Sequence, residues 1–194
     1  MAKSKQKKYE LTDETKVVNG VTLHRIRALV AIAAIGVAAG DLGGWIEREE
    51  NLSQVSGNAW VSGNAWVYGD ALVYGNARVY GNAQVYGDAQ VYGDAQVYGN
   101  ARVYGNALVY GNAWVYAPII CATRADGYTF VITHDQHYVV RIIAGCRYLT
   151  PEEARRHWTQ TRGGTKLGDE SLALIDHLER MAKLQGWPTP ESRP

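Results

Sequence analysis

A six-residue unit, Val-(Tyr/Ser)-Gly-(Asn/Asp)-Ala-x, begins at Val55 and recurs with valine at 61, 67, 73, 79, 85, 91, 97, 103 and 109. A partial unit, Val115-Tyr116, closes the series. A repeat in unbroken register is the strongest constraint a sequence can place on its fold. A regular α-helix is excluded, because six steps at 3.6 residues per turn advance the valines by about 600° and scatter them around the axis. Strand geometry fits: Val, Gly and Ala fall on alternate positions, and Tyr, Asn/Asp and x on the others. Valine is β-branched and suits a buried wall, whereas Gly-Asn and Gly-Asp supply a corner. Each unit reads as a short strand plus a turn, and three units close one triangular coil of about eighteen residues whose strands stack in parallel at about 4.8 Å.

These residues resemble the hexapeptide-repeat proteins, in which an aliphatic residue is followed by three variable positions, a small residue and one more. Val fills the aliphatic slot and Ala the small one. The resemblance implies a left-handed parallel β-helix, an exception to the right-handed crossover rule. A right-handed solenoid is the alternative, and composition does not decide between them. The fold class expected is therefore mainly β: a hexapeptide solenoid over residues 55–116, an N-terminal tail and β cap over 1–54, and a small C-terminal α+β domain with a flexible tail over 117–194.

Stacking at eighteen-residue intervals places side chains in ladders. Asn58, Asn76, Asp94 and Asn112 form one, Asn64, Asn82 and Asn100 another, and Asp70, Asp88 and Asn106 the third. Amides can hydrogen-bond along such a stack, while Asp70 and Asp88 on adjacent rungs are read as solvent-screened. The tyrosines face outward near the corners and stack on successive coils. The sixth column reads Trp60, Trp66, Leu72, Arg78, Gln84, Gln90, Gln96, Arg102, Leu108, Trp114. Its apolar ends, Trp60, Trp66, Leu72, Leu108 and Trp114, suggest cap or oligomer contacts, since a solenoid must cover its terminal edges. Its polar middle, with the neighbouring phenols, supplies a candidate partner-binding set: Tyr80, Tyr86, Tyr92, Tyr98, Arg78, Arg102, Gln84, Gln90 and Gln96.

In the flanks, Asn19-Gly20 between β-branched stretches predicts a hairpin. Gly43-Gly44 predicts a tight bend, with Trp45 and Ile46 covering the end of the core. The apolar run 28–39 is too short to span a bilayer and is expected as a buried strand or helix. Lys3, Lys5, Lys7 and Lys8 read as a solvated tail. After the repeat, two strands flank His134-Asp135-Gln136. Thr150-Pro151-Glu152-Glu153 starts one helix and Asp169 caps a second, with Leu172, Ile175, Leu178 and Met181 or Ala182 on one face.

A second resemblance covers nearly the whole chain. The stretches ETKVVNGVTLHRIRAL and GDLGGWIEREENLSQ, the Gly-Asn-Ala repeat, and AGCRYLTPEEA are similar to phage and prophage proteins of unknown function, which carry labels drawn from the repeat alone. That resemblance implies a phage origin and the host cell cytoplasm as the setting, and it brings no catalytic residues.

A hexapeptide acyltransferase would need a histidine base in the helix, and the repeat contains none. His24, His134, His137, His157 and His177 all lie in the flanks. Cys121 and Cys146 have no zinc-like spacing, and Cys146 is read as a buried structural residue. No catalytic residue, metal ligand or cofactor is assigned. A net charge of +1 argues against nucleic acid or a membrane as partner. The expectation is a non-enzymatic interaction protein that binds a host or phage protein, possible targets including a defence system. A homo-oligomer, trimer or dimer, is expected. A small-molecule or nucleotide binder is the alternative, and the acyltransferase is disfavoured.

Overall fold

The computed structural model describes residues 7–55, 57–116, 120–135 and 137–187. Gln136 and the tail from Pro188 lie outside them, as do Lys3 and Lys5. Strands β1 (Tyr9–Val18) and β2 (Val21–Ala28) form an antiparallel hairpin, and β3 (Leu42–Ile46) pairs with β2. The hairpin turns at Asn19 and Gly20, both at positive φ (51° and 80°), as an Asn-Gly turn requires.

Ten short strands then follow at six-residue intervals: β4 (Trp60–Val61), β5 (Trp66–Val67), β6 (Leu72–Val73), β7 (Arg78–Val79), β8 (Gln84–Val85), β9 (Gln90–Val91), β10 (Gln96–Val97), β11 (Arg102–Val103), β12 (Leu108–Val109) and β13 (Ala113–Val115). Strands β4 to β10 each pair in parallel with the strand eighteen residues on, so Trp60 faces Arg78, Arg78 faces Gln96 and Gln96 faces Trp114. Three sheets result. The first face runs β1-β2-β3-β5-β8-β11, the third is β9 between β6 and β12, and the second contains β4-β7-β10-β13. The chain is thus mainly β, with a β-solenoid about four turns deep.

The regular strand is only x-Val; the rest of each unit turns the corner. Valines 61 to 109 and alanines 59 to 113 of the repeat are at most 1% exposed and form one continuous core. Glycine is required at the corner. Gly75 has φ +68°, and a Cβ there would lie 3.0 Å from the amide nitrogen of Gly93 on the next coil.

The stack begins before the repeat. Ile46 pairs beside Val67 and Leu52 bridges to Val73, each twenty-one residues away rather than eighteen. Val55, which the sequence reading made the first aliphatic residue, is 67% exposed, whereas Leu52 is 1% exposed. Three extra residues between Leu52 and the first corner carry Val55 out of register. Buried Asn51 closes this first coil by donating to the carbonyls of Gly69 and Ala71, both at 2.9 Å. The Tyr9 hydroxyl donates to the carbonyls of Leu52 and Glu49.

Three further expectations are corrected at this end. Gly43 and Gly44 do not bend the chain: they lie within β3, where a Cβ on Gly44 would meet the Ala65 carbonyl oxygen at 2.7 Å. Their bareness lets an extended strand lie across the end of the prism. The apolar run 28–39 is a largely exposed loop with one 3₁₀ turn, Ala33–Ile35, and only Ala28 and Ile32 are buried in it. Ile26, Ile46 and Leu52 already cover the core, and alanines are small enough to leave in water. Lys8 is not a solvated tail residue: it is buried, its ammonium donates to the Ala59 carbonyl at 2.8 Å, and burial pushes its pKa down to about 8. Lys7 is exposed, as expected, and pairs with Glu49 at 2.6 Å.

Beyond the solenoid, β14 (Ile120–Thr123), β15 (Thr129–Asp135), β16 (Val140–Ala144) and β17 (Arg147–Leu149) form an antiparallel sheet. Strand β13 pairs with β15, Trp114 opposite His134, so the second face continues into this sheet without a break. Helices α1 (Pro151–Arg162) and α2 (Lys166–Leu184) cover it through Phe130, Ile132, Ile142, Trp158, Ile175 and Leu178. The predicted capping box holds: Thr150 Oγ1 accepts from Glu153 N at 3.2 Å, and Glu153 Oε2 accepts from Thr150 N at 2.8 Å. Helix α2 starts earlier than expected. Thr165 caps it by accepting from Gly168 N at 3.1 Å, and Asp169 lies within the first turn, where a carboxylate suits the helix dipole.

Candidate functional site

The corner ladders form as the spacing requires. Asn58 Nδ2 donates to Asn76 Oδ1 at 3.2 Å, Asn76 to Asp94 at 3.0 Å, and Asn64 to Asn82 at 3.3 Å. Asp70 is held by Arg48, whose Nη2 lies 2.5 Å from its Oδ1. That pairing gives the third ladder a cation at its end.

The candidate partner-binding residues do not share one surface. Residues six apart fall on successive faces, so Arg78, Tyr80, Gln96 and Tyr98 lie on the second face, Gln84, Tyr86 and Arg102 on the first, and Gln90 and Tyr92 on the third. Phenols stack along each: Tyr80 on Tyr98 at 5.2 Å, Tyr68 on Tyr86 at 5.3 Å and Tyr86 on Tyr104 at 5.5 Å, Tyr74 on Tyr92 at 4.8 Å and Tyr92 on Tyr110 at 5.0 Å. Burial raises the pKa of Tyr86, Tyr92 and Tyr98 above the ordinary value, Tyr86 being raised further by Tyr68 and Tyr104 and lowered by Arg102.

The faces differ in what their polar groups are doing. On the second face Tyr80 Oη donates to Gln96 Oε1 at 2.9 Å, and Arg78 lies over the Tyr80 ring at 5.4 Å. On the third, Tyr74 Oη donates to Gln90 Oε1 at 3.1 Å, and Leu108 and Tyr110 pack against the core below the C-terminal sheet. On the first, neither the Gln84 nor the Arg102 side chain has a hydrogen-bond or ion-pair partner among the described residues. A row across this face runs Arg25, Trp45, Trp66, Gln84, Arg102, each in register with the next. Lys16 Nζ lies 4.5 Å from the Trp45 ring, and Trp66 stacks on Tyr68 at 5.3 Å. The tip of the β1–β2 hairpin overhangs the row. Val18 and Asn19 join Trp66, Tyr68, Gln84, Tyr86 and Arg102 around a concavity of about 320 Å³. The sequence reading gave Trp45 the end of the core and Asn19-Gly20 a hairpin, and did not place either on this face, although Trp45 announces itself by lying twenty-one residues before Trp66, as Leu52 does before Val73.

The apolar ends of the sixth column are used mostly within the chain. Trp60 is 4% exposed with its ring edge-on to Tyr9, and Trp114 stands edge-on to Tyr98. Leu108 packs on the core, while Leu72 and Trp66 are half-buried.

Among the flank histidines, His134 is sealed at 1% exposure. Its Nδ1 lies 3.0 Å from the Asp135 carbonyl and its Nε2 has no hydrogen-bond partner among the described residues. The Asp135 carboxylate accepts from Arg141 Nη2 at 2.9 Å and from the backbone nitrogens of His137 and Val139. Its role is to hold a turn. Cys146, expected buried, is exposed, because it sits in the tight turn between β16 and β17; Cys121 is half-buried. Among the described residues no group of three His, Cys, Asp or Glu side chains is placed to hold a metal ion, and no helix is long and apolar enough to cross a membrane.

The solenoid stretch is similar to the YdcK beta solenoid repeat, whose family model matches residues 53–69, 65–81, 71–87, 95–109 and 101–117, under half of the chain. No curated protein matches the chain.

Proposed function

We propose that this chain is a non-enzymatic interaction protein, and that the first face of its solenoid docks a protein partner. The observation that carries this reading is the contrast between faces. Gln96 and Gln90 are tied down by tyrosine hydroxyls, whereas the Gln84 and Arg102 side chains, beside stacked Trp66, Tyr68 and Tyr86, have no hydrogen-bond or ion-pair partner among the described residues. Aromatic residues and arginine on a rigid platform are the groups that dominate protein interfaces, because they bury much area at little entropic cost. The three-sided winding at eighteen-residue register supports a left-handed solenoid of the hexapeptide kind. The resemblance of the flanks to phage proteins supports a phage origin, and with it a host protein in the cytoplasm, such as a component of a defence system, as the partner.

Affinity capture from host cells tests this with wild type and the Trp66→Ala/Arg102→Ala variant. The expected result is a partner retained by wild type and lost by the variant, with Arg78→Ala on the second face unchanged. Equal capture by all three would remove the first face as the docking surface. Light scattering on the same proteins tests the expected homo-oligomer, and a trimer dissociated by the first-face variant would make a second copy the partner.

A second reading is favoured by the concavity under the hairpin tip, which is large enough for a small planar ligand between Trp66 and Arg102. Native mass spectrometry of protein incubated with a nucleotide pool would show a retained adduct if this reading holds. An unadducted spectrum would end it.

A further inference from the structure

The C-terminal unit holds a second concavity, of about 550 Å³, walled by three separate elements. The turn between β14 and β15 contributes Arg124, Asp126 and Tyr128, the edge strand β17 contributes Arg147, and the last turns of α1 contribute His157, Thr161 and Arg162. Three guanidiniums converge there against one carboxylate among the lining residues. Asp126 is consumed locally: its Oδ1 accepts from Arg124 Nε at 2.9 Å and its Oδ2 from Arg124 Nη2 at 2.7 Å. Arg124 is 4% exposed, and its Nη1 donates to Ser171 Oγ at 2.8 Å, so the floor of the concavity is rigid.

Arg147 and Arg162 are different. Both are exposed, and neither has an ion pair among the described residues, whereas on the same helix as Arg162, Arg155 pairs with Asp176 and Arg156 with Glu152. Their charges are felt inside the concavity. Burial raises the Tyr128 phenol's pKa with Arg124, Arg147 and Arg162 opposing it, and burial lowers that of His157 with Arg147 adding to the shift. Arg162 suits the carbonyl end of a helix on its own account. Arg147 has no such local reason to be there. With the one lining carboxylate already taken by Arg124, Arg147 and Arg162 leave an excess of positive charge at the cavity that a bound anion would offset.

We propose that this concavity binds a phosphate-bearing small molecule of about nucleotide size. Arg147 and Arg162 offer charge-assisted donors from two separate elements of the lining, in the forked geometry that matches phosphate oxygens. The Thr161 hydroxyl is already donated to the His157 carbonyl at 2.7 Å, so on this wall the guanidinium is the donor. The site lies wholly within the C-terminal unit and does not depend on the docking face.

The test uses the full chain with three probes: ADP, inorganic phosphate and adenosine. Cys146 lines the same concavity and is exposed, so the rate of its alkylation by iodoacetamide reports occupancy, with half-buried Cys121 as the internal reference. ADP is expected to slow Cys146 alkylation and to give a saturable calorimetric signal, and adenosine to do neither. Inorganic phosphate protecting as well as ADP would name the free oxyanion as the source, and weaker protection would name the nucleotide. Loss of a charge-assisted contact in Arg147→Ala should weaken binding about tenfold. Because Arg147 is exposed on an edge strand, circular dichroism should show that variant folded; Arg162→Lys, which keeps the charge at the helix end but not the fork, should weaken binding in the same direction. Absence of protection by both phosphate probes at millimolar concentration, or equal protection of wild type and Arg147→Ala, would overturn the proposal.

Discussion

Leu52 lies directly beneath Val73 in the solenoid stack, joined to it by a parallel bridge, while Val55 three residues later stands 67% exposed. Leu52 therefore seals the open end of the core on the third face, as Ile46 does on the first. Leu52→Ala is expected to cost about 2–5 kcal/mol, the range for truncating a buried leucine that leaves a cavity. Val55→Ser should change stability by less than about 0.5 kcal/mol. Urea unfolding of the two variants checks this, and the opposite ranking would put Val55 back in the core.

Much of this architecture was legible in the sequence because its physics is local. Valine and alanine at fixed offsets, with glycine where φ is positive, dictate a three-sided coil, and Asn19-Gly20 and the Thr150–Glu153 box declare their own turn and cap. What was not legible depends on register or on distance. Nothing at Val55 itself shows that three residues have been inserted before it, although Ile46 and Leu52 keep a six-residue spacing that stops short of Val61 by nine. Grouping Tyr80, Tyr86 and Tyr92 as one surface followed their nearness along the chain, and the eighteen-residue period places them on three sides. Arg124, Arg147 and Arg162 meet only because a turn, an edge strand and a helix end pack together, and no spacing among them records that.

Three glycines of the stack are expected to rank by what a methyl group would meet. Gly105 has φ +61° with open space around it, so Gly105→Ala should cost only the left-handed backbone penalty, about 1 kcal/mol. Gly75 shares that conformation and adds a 3.0 Å contact with the backbone of Gly93, so its substitution should cost more. Gly44 has no positive φ, yet its Cβ would lie 2.7 Å from the Ala65 carbonyl, and β3 would have to lift off the end of the prism. Gly44→Ala should cost about 3 kcal/mol or more. Thermal unfolding of the three variants gives the order, and a Gly44→Ala protein as stable as Gly105→Ala would contradict the close approach of β3.

Acid should loosen the joint between the solenoid and the C-terminal sheet through His134. Burial lowers its pKa below the ordinary 6.5, with the Asp135 carbonyl and carboxylate opposing that shift. The ring is enclosed by Tyr116, Tyr138 and Trp187, and Arg141 already neutralises Asp135. A histidine whose folded pKa is depressed binds fewer protons folded than unfolded. Its contribution is therefore fully present above about pH 6.5 and is lost as the pH falls towards the folded value. Melting temperatures followed from neutral pH to about pH 5 should decline in wild type and decline less in His134→Gln. Parallel curves would show that His134 does not carry the acid sensitivity.

The contrast between the faces predicts a contrast between two tyrosine-to-phenylalanine changes. Tyr80 Oη donates to Gln96 Oε1 at 2.9 Å, and removing it leaves a half-buried amide oxygen short of a donor. Tyr80→Phe should cost about 1 kcal/mol. The Tyr86 hydroxyl makes no hydrogen bond among the described residues, and its ring keeps the same stacking partners at 5.3 and 5.5 Å when the oxygen is lost. Tyr86→Phe should thus leave chemical stability unchanged within about 0.5 kcal/mol. If the first face docks a partner as proposed, the same change should weaken capture, because that hydroxyl is free to bond across an interface. Equal destabilisation by the two substitutions would mean that the polar groups of the first face are as occupied as those of the second, and the argument for docking there would fall with it.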